Sequence, residues 1–255
     1  AALPYSGSYC LTTLLCAADR KRQIDEIRAR LDAGMPCRVV STSLIEAGVD
    51  VDFPVAYREQ CGLDSLLQTA GRCNREGRNV PADSPVYRFQ LDGQAAPQML
   101  AQNISAMNYA ARRHADLSSP EAIKAYFNEL FNLRSPDLLD KKHILSMIEN
   151  GVSGCMLPFA QVAELFRLIE TPTRTVYLPL GAGAELCRQL RDGKMSRGLL
   201  RRLGVYSVEC YDAQFKALDR SGALELLPDG SAILIDMTKY DPKTGLALDA
   251  ETGVG

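Results

Sequence analysis

Ser41-Thr42-Ser43-Leu44-Ile45-Glu46-Ala47-Gly48-Val49-Asp50 and, further on, Gln68-Thr69-Ala70-Gly71-Arg72-Cys73-Asn74-Arg75 are the two runs that decide how the chain reads. The first continues Cys37-Arg38-Val39-Val40-Ser41, which has the composition of a strand. Small hydroxyls, an acidic residue, Gly48 and Asp50 therefore follow a strand's carboxyl end, where open α/β sheets bind ligands. Hydroxyls and exposed amides there suit the phosphates of a nucleic-acid backbone. Taken alone, Gly48-Val49-Asp50 is equally an ordinary turn. The second run extends a helical pattern that starts at Leu63 and is predicted to reach Arg75. Leu63, Leu66, Leu67 and Ala70 line one side of that helix, and Asp64, Gln68, Arg72 and Arg75 recur at i, i+4, i+8 and i+11 as a polar stripe. Gly71 leaves room for another surface beside the arginines. Two guanidinium groups one turn apart suit a target rich in anionic oxygens. Taken alone, Arg72, Arg75 and Arg78 read more readily as a solvated basic face with Glu76 as a local partner.

Working outward, residues 9–13, 54–57 and 86–89 read as further strands, and 19–31 as a charged amphipathic helix with Ile24, Ile27 and Leu31 on one face. Strand–helix–strand spacing implies a parallel sheet with helices packed on it. From about Gln94 the pattern turns helical, with helices predicted over 95–113, 122–133 (Ser119 as its cap and Pro120 at its first turn), 141–149 and 158–169. Turn signals fall at Pro136 and at Gly151, Ser153 and Gly154, and Thr171-Pro172-Thr173 marks a break. The tail returns to α/β, with strands over 175–178, 206–211 and 232–235, helices over 184–191, 196–203 and 213–221, and a hairpin turn at Asp229-Gly230. Three segments follow: 1–93, 94–170 and 171–255.

The chain's 255 residues suffice for one large domain or two modest ones, and 46% apolar with 24% charged residues is an ordinary globular balance. A net charge of −2 argues against a wholesale electrostatic nucleic-acid binder, so contact with DNA has to be made by a local patch. No run is long enough to cross a membrane and the amino terminus has no signal-peptide character, which points to the cytoplasm. The absence of an initiator Met predicts a longer parent protein. Eight cysteines, none at C-x-x-C spacing, read as reduced, buried thiols. With only His114 and His143 present, a histidine-built metal centre is excluded, and no metal ligand is assigned.

Together the two runs resemble motifs V and VI of superfamily 2 helicases, the second matching Gln-x-x-Gly-Arg-x-x-Arg at Gln68, Gly71, Arg72 and Arg75. The surrounding text, 45–54, Gly62-Leu63-Asp64-Ser65 and 71–77, resembles the helicase–nuclease of type I CRISPR interference. Leu11-Thr12-Thr13 with Cys16 and Arg20 is similar to that family's preceding block. The tail, Tyr240-Asp241-Pro242-Lys243-Thr244-Gly245-Leu246, is similar to the end of the type I-C subtype. The resemblance implies an α/β fold: a partial RecA-like parallel sheet forming the second helicase lobe, then a helical linker region, then a small α/β C-terminal domain. It implies that Arg72 and Arg75 reach the γ-phosphate of ATP bound on a first lobe, that Gln68 positions nucleotide or attacking water, and that Gly48, Asp50 and Gly71 border the nucleotide. It further implies that Thr12, Ser41 and Thr42 grip the phosphates of a translocating single strand. ATP and Mg²⁺ would be held mainly by the first lobe, and none by these residues alone. The implied partners are the displaced non-target DNA strand, the RNA-guided surveillance complex and the protein's own amino-terminal lobes. No Walker A loop, no Asp-Glu-x-His box and no histidine–aspartate nuclease domain occurs in the sequence, so an active ATPase is not expected from it alone. Two other readings stand beside this one. One is a DNA-clamping or partner-docking module, to which Arg197, Arg201 and Arg202 could contribute, although they read more readily as a solvated basic turn. The other is a fragment of a different superfamily 2 helicase.

Overall fold

The computed structural model describes residues 6–46, 48–134, 139–166 and 173–247. Ala47, Pro136, Thr171, Pro172 and the predicted helix end at Ile169 lie outside the described residues. The chain is mixed α/β with small parallel sheets, and it forms two compact units. One contains residues 1–57, 68–87 and 172–255; the other contains 58–67 and 88–171. Residues 1–57 and 68–87 of the first segment thus share a unit with the last segment, while 58–67 and 88–93 fall in the other.

In the first unit β1 (Ser8–Leu11) and β2 (Arg38–Ser41) pair in parallel, with Leu11 opposite Ser41. Helix α1 (Ala17–Asp32) connects them. Its outer face carries an i,i+3/i+4 ladder, Lys21–Asp25 at 2.8 Å and Arg22–Glu26 and Arg22–Asp19 at 3.1 Å, and its inner face buries Gln23 and Ile27. It ends where Gly34 takes φ +64: Gly34 N–H reaches Leu31 O at 3.1 Å and Met35 N–H reaches Arg30 O at 2.9 Å, the paired bonds of a glycine-terminated helix. Leu11, Leu15, Ile27, Val49 and Val51 form the core beneath this strand pair.

The same unit holds a four-stranded sheet of order β6-β5-β8-β7, from β5 (Thr173–Tyr177), β6 (Ser207–Tyr211), β7 (Leu224–Leu226) and β8 (Ala232–Leu234). β5 and β8 run parallel and the outer pairs antiparallel, so this sheet is mixed. The predicted turn joins β7 to β8, with Gly230 at φ +84 and Asp229 accepting Ser231 N–H at 3.0 Å and Ser231 Oγ–H at 2.6 Å. Ser196 caps the helix Arg197–Leu203 by accepting Leu199 N–H at 3.2 Å. A final hairpin, β9 (Tyr240–Asp241) with β10 (Gly245–Leu246), adds Tyr240 and Leu246 to the core of Phe215, Val176 and Val208.

The second unit is built on a helix pair, α3 (Ala101–Ala111) and α4 (Pro120–Leu133), whose core is Ala106, Met107, Ala110, Tyr126 and Leu130 around Leu63. Ser119 caps α4 by accepting Ala122 N–H at 3.2 Å, with Pro120 at its first turn. Tyr126 OH donates to Asp64 Oδ1 at 2.7 Å and accepts from Asn103 Nδ2 at 3.1 Å. Burial, reinforced by the Asp64 carboxylate, pushes the Tyr126 phenol well above its ordinary range. Helix α3 starts later than its periodicity predicts, because Pro97 opens a short 3₁₀ turn over Gln98–Leu100 first.

Two further strands, β3 (Ala56–Glu59) and β4 (Val86–Phe89), form a separate two-stranded sheet, and helix α2 (Leu63–Ala70) lies between them in sequence. The expected single parallel sheet is therefore divided among short ladders.

Candidate functional site

The helix that was to carry four polar residues on one stripe is shorter than its periodicity. α2 ends at Ala70, so Arg72 and Arg75 leave the helix and the i, i+4, i+8, i+11 register stops at Gln68. The reason is tertiary. Arg72 N–H and Cys73 N–H bond to Thr69 O and Ala70 O at 2.9 and 3.0 Å, tightening the last turn. Phe53 then takes over the backbone as a parallel bridge partner of Cys73, its N–H bonding Arg72 O and its carbonyl accepting Asn74 N–H, both at 2.9 Å. Asn74 adopts φ +50, which a continuing helix could not accommodate.

Leaving the helix does not separate the two arginines. Both guanidinium groups reach the loop that follows β2. Arg72 Nε donates to Ile45 O at 3.1 Å and Arg72 Nη2 to Glu46 O at 2.8 Å. Arg75 Nη1 pairs with the Asp50 carboxylate at 2.9 Å, with the side chains 41% and 68% exposed. The backbone of the same segment is held by Asp52, whose two oxygens accept Arg75 N–H at 2.7 Å and Glu76 N–H at 3.3 Å. Arg28 of α1 donates to Asp50 O at 2.7 Å. Asp52 and Arg28 were not among the residues singled out in sequence. The signal for Asp52 was legible: Asp50-Val51-Asp52 in extended chain puts both carboxylates on one side and buries Val51 on the other. Nothing in the spacing marked Arg28.

The three hydroxyl residues are brought together at the carboxyl ends of the parallel pair. Thr12 follows β1, and Ser41 and Thr42 close β2, with Thr42 N–H bonded to Leu11 O at 3.1 Å. Ser41 Oγ lies 3.1 Å from Leu11 O and 2.8 Å from Thr42 O; its single proton serves one of them at a time. Thr12 Oγ1 accepts Leu14 N–H at 3.2 Å. Gly48, at φ +75, takes the chain round towards Asp50, and a side chain there would meet no atom within 4 Å. Gln68 and Gly71 are exposed. Two shallow clefts flank this region. One of about 290 Å³ is lined by Arg20, Lys21, Arg28 and Gly48, and one of about 200 Å³ by Asp32, Asp50, Asp52 and Arg78.

The donor set suits an oxygen-rich anion. Arg72 has five N–H groups and two are engaged, so an edge of the guanidinium remains for a ligand. Arg75 sits in an exposed pair, which an anionic ligand displaces at small cost. No group of three or more His, Cys, Asp or Glu among the described residues is placed to hold a metal ion. Arg197, Arg201 and Arg202 lie exposed on their helix, in the same unit.

Residues 6–78, which contain every one of the site's side chains, match the family described as CRISPR-associated nuclease/helicase Cas3, C-terminal. Over these residues the chain is similar to that family. A Cas3 nuclease/helicase of Haloferax volcanii is 41% identical over 159 residues, covering 53% of this chain and 17% of the relative. The fold is similar to the crystal structure of T. fusca Cas3–AMPPNP, with a TM-score of 0.53 and 14% identity over 94% of this chain and 35% of that one. A CRISPR RNA-guided surveillance complex in a pre-nicking state contains a chain that matches with a TM-score of 0.50 and 14% identity, over 96% of this chain and 37% of that one. At such identities the structural matches establish fold alone. The family match ends at Arg78, whereas the structural matches continue through the helical segment and the tail. The chain thus spans a small part of its curated relative's length. No helix among its described residues is long and apolar enough to cross a membrane.

Proposed function

We propose that this chain supplies the second-lobe half of an ATP-dependent DNA translocase, within a cytoplasmic helicase–nuclease that degrades foreign DNA in type I CRISPR interference. The observation that carries the reading is the convergence of Arg72 and Arg75 on the loop 45–50, beside Thr12, Ser41 and Thr42 at the ends of β1 and β2. In this reading Arg75, released from Asp50, and the open edge of Arg72 meet the phosphates of ATP, whose Mg²⁺ and main cradle belong to an amino-terminal lobe. Guanidinium groups so placed stabilise negative charge that builds up during hydrolysis. Gln68, next to them on the exposed end of α2, orients the nucleotide or a water, while Gly48, Asp50 and Gly71 form the wall. Thr12, Ser41 and Thr42 hold backbone phosphates of the displaced strand through small groups that read no sequence, as a translocase requires. The RNA-guided surveillance complex is the partner that delivers this strand.

The test is reconstitution. Joined to its amino-terminal lobes, the chain is expected to hydrolyse ATP in response to single-stranded DNA. Arg75→Ala then abolishes hydrolysis while DNA affinity stays within a few-fold. If hydrolysis survives both Arg75→Ala and Arg72→Lys, the nucleotide assignment is wrong. Strand binding carried by Arg197, Arg201 and Arg202, with Thr12 and Ser41 dispensable, would instead establish a clamping module.

A further inference from the structure

The tail motif 240–246 has no task in the activity proposed above. In the structure it forms the β9–β10 hairpin and closes onto the turn that carries Thr12. Leu246 N–H donates to Leu14 O at 3.0 Å. Tyr240 OH accepts Cys16 N–H at 3.1 Å and donates to Asp19 Oδ2 at 2.9 Å. From the other side, Gln23 Nε2 donates to Pro242 O and Lys243 O, both at 3.1 Å, and Arg22 Nη2 to Pro242 O at 3.2 Å. The approach is close enough to require glycine. Gly245 has φ +91, and a Cβ on it would stand 2.6 Å from the carbonyl carbon and oxygen of Leu14 and 2.8 Å from Leu15 N. Cys16, Leu246 and Tyr240 are 0%, 2% and 6% exposed, so water does not substitute for these bonds.

The turn needs this support. Its own bonds are Leu14 N–H to Thr12 Oγ1 at 3.2 Å and Leu15 N–H to Thr12 O at 3.3 Å, both long. Cys16 precedes the first turn of α1 and its side chain makes no capping bond, so the phenol oxygen of Tyr240 receives an N–H that the helix start leaves over. We infer that the hairpin 240–246, through Tyr240 and Gly245, is a brace that fixes the Thr12 turn in the position from which it grips single-stranded nucleic acid. The inference rests on the strand-gripping role proposed for Thr12. Tyr240 touches no ligand in this scheme; it is a positioning residue.

A purely structural contact would lower stability and leave the binding constant of folded molecules unchanged, whereas a brace alters both. The full 255-residue chain is titrated with a fluorescein-labelled oligothymidine strand well below its unfolding midpoint, alongside hydrogen exchange at the Cys16 amide. Tyr240→Phe is expected to keep native circular dichroism, to bind about tenfold more weakly and to flatten the salt dependence by about one phosphate contact. Its Cys16 amide should exchange about tenfold faster, while the β2 amides stay as in wild type. If Tyr240→Phe does not fold, Arg22→Ala, at an exposed position, is read by the same two measurements and is expected to weaken binding about threefold. Should Thr12→Ala weaken binding while Tyr240→Phe binds like wild type, the brace is refuted and the strand-gripping role stands. Should wild type not bind, or Thr12→Ala bind equally well, the strand-gripping role falls and the brace with it.

Discussion

Arg72 and Arg75 share a sequence pattern but differ in what holds them, and that difference can be measured. Arg72→Ala removes two hydrogen bonds from a charged donor to half-buried carbonyls, at 3.1 and 2.8 Å, that pin the loop after β2. With part of that energy returned by water reaching Ile45 O and Glu46 O, the expected loss is about 2 kcal/mol. Arg75→Ala breaks one ion pair whose partners are 41% and 68% exposed, worth under about 1 kcal/mol. Arg72→Lys falls between the two, because an ammonium lacks the planar fork that spans both carbonyls. The chain contains no Trp, so urea unfolding is followed by far-UV circular dichroism and tyrosine fluorescence. For a slope of about 2 kcal/mol per molar urea, Arg72→Ala lowers the midpoint by about 1 M and Arg75→Ala by under about 0.5 M. Equal shifts for the two variants, or a shift below about 0.3 M for Arg72→Ala, would refute the assignment of Arg72 as the residue that holds the loop.

Gly48→Ala costs about 1 kcal/mol in the same unfolding assay, from its φ of +75 alone, since a methyl there meets nothing within 4 Å. Gly245→Ala costs more, because backbone atoms of Leu14 stand in the way, and a smaller loss than at Gly48 would contradict the hairpin's placement. Maleimide at neutral pH is expected to modify exposed Cys155 first. Buried Cys187 and Cys210, whose thiols burial pushes up to about 11 and about 12, label only on unfolding, as peptide mass spectrometry will report. Ser196→Ala lowers stability by about 1 kcal/mol through loss of the cap on Leu199 N–H, checked by thermal unfolding. The Ser231 hydroxyl and amide hold the Asp229 carboxyl below its ordinary range, so its contribution is present above the unfolded-state value near pH ~4 and is lost as pH falls through the lower folded-state value. Asp229→Asn should therefore flatten the acid limb of the stability–pH curve.

Local signals in the sequence reported faithfully. Ser119 before Pro120, Ser196 before its helix and Asp229-Gly230 between two apolar runs all do in the structure what their chemistry dictates, because a cap or a tight turn needs only its neighbours. The strand 38–41 and helix 17–32 were legible for the same reason. The end of α2 was not. The polar spacing from Asp64 to Arg75 fits a helix throughout, and only Phe53, remote in sequence, draws Cys73 into a bridge and ends it. β7, β9 and β10 have three, two and two residues, too few for any alternation to register. The candidate site divides similarly. Residue types and their order gave the hydroxyls and the arginines, but which carbonyl each guanidinium meets depends on a loop whose path the sequence does not specify.

The bond between Cys16 and Tyr240 joins positions 224 residues apart. On a ribosome adding about 5–20 residues per second, the amino-terminal strand pair waits about 10–45 s for the segment that finishes its packing. Until then Leu14, Leu15 and Cys16 are without Tyr240 and Leu246, and closing so large a loop is slow even after synthesis ends. Deleting 240–246 would leave Leu14 and Cys16 without the side chains that cover them.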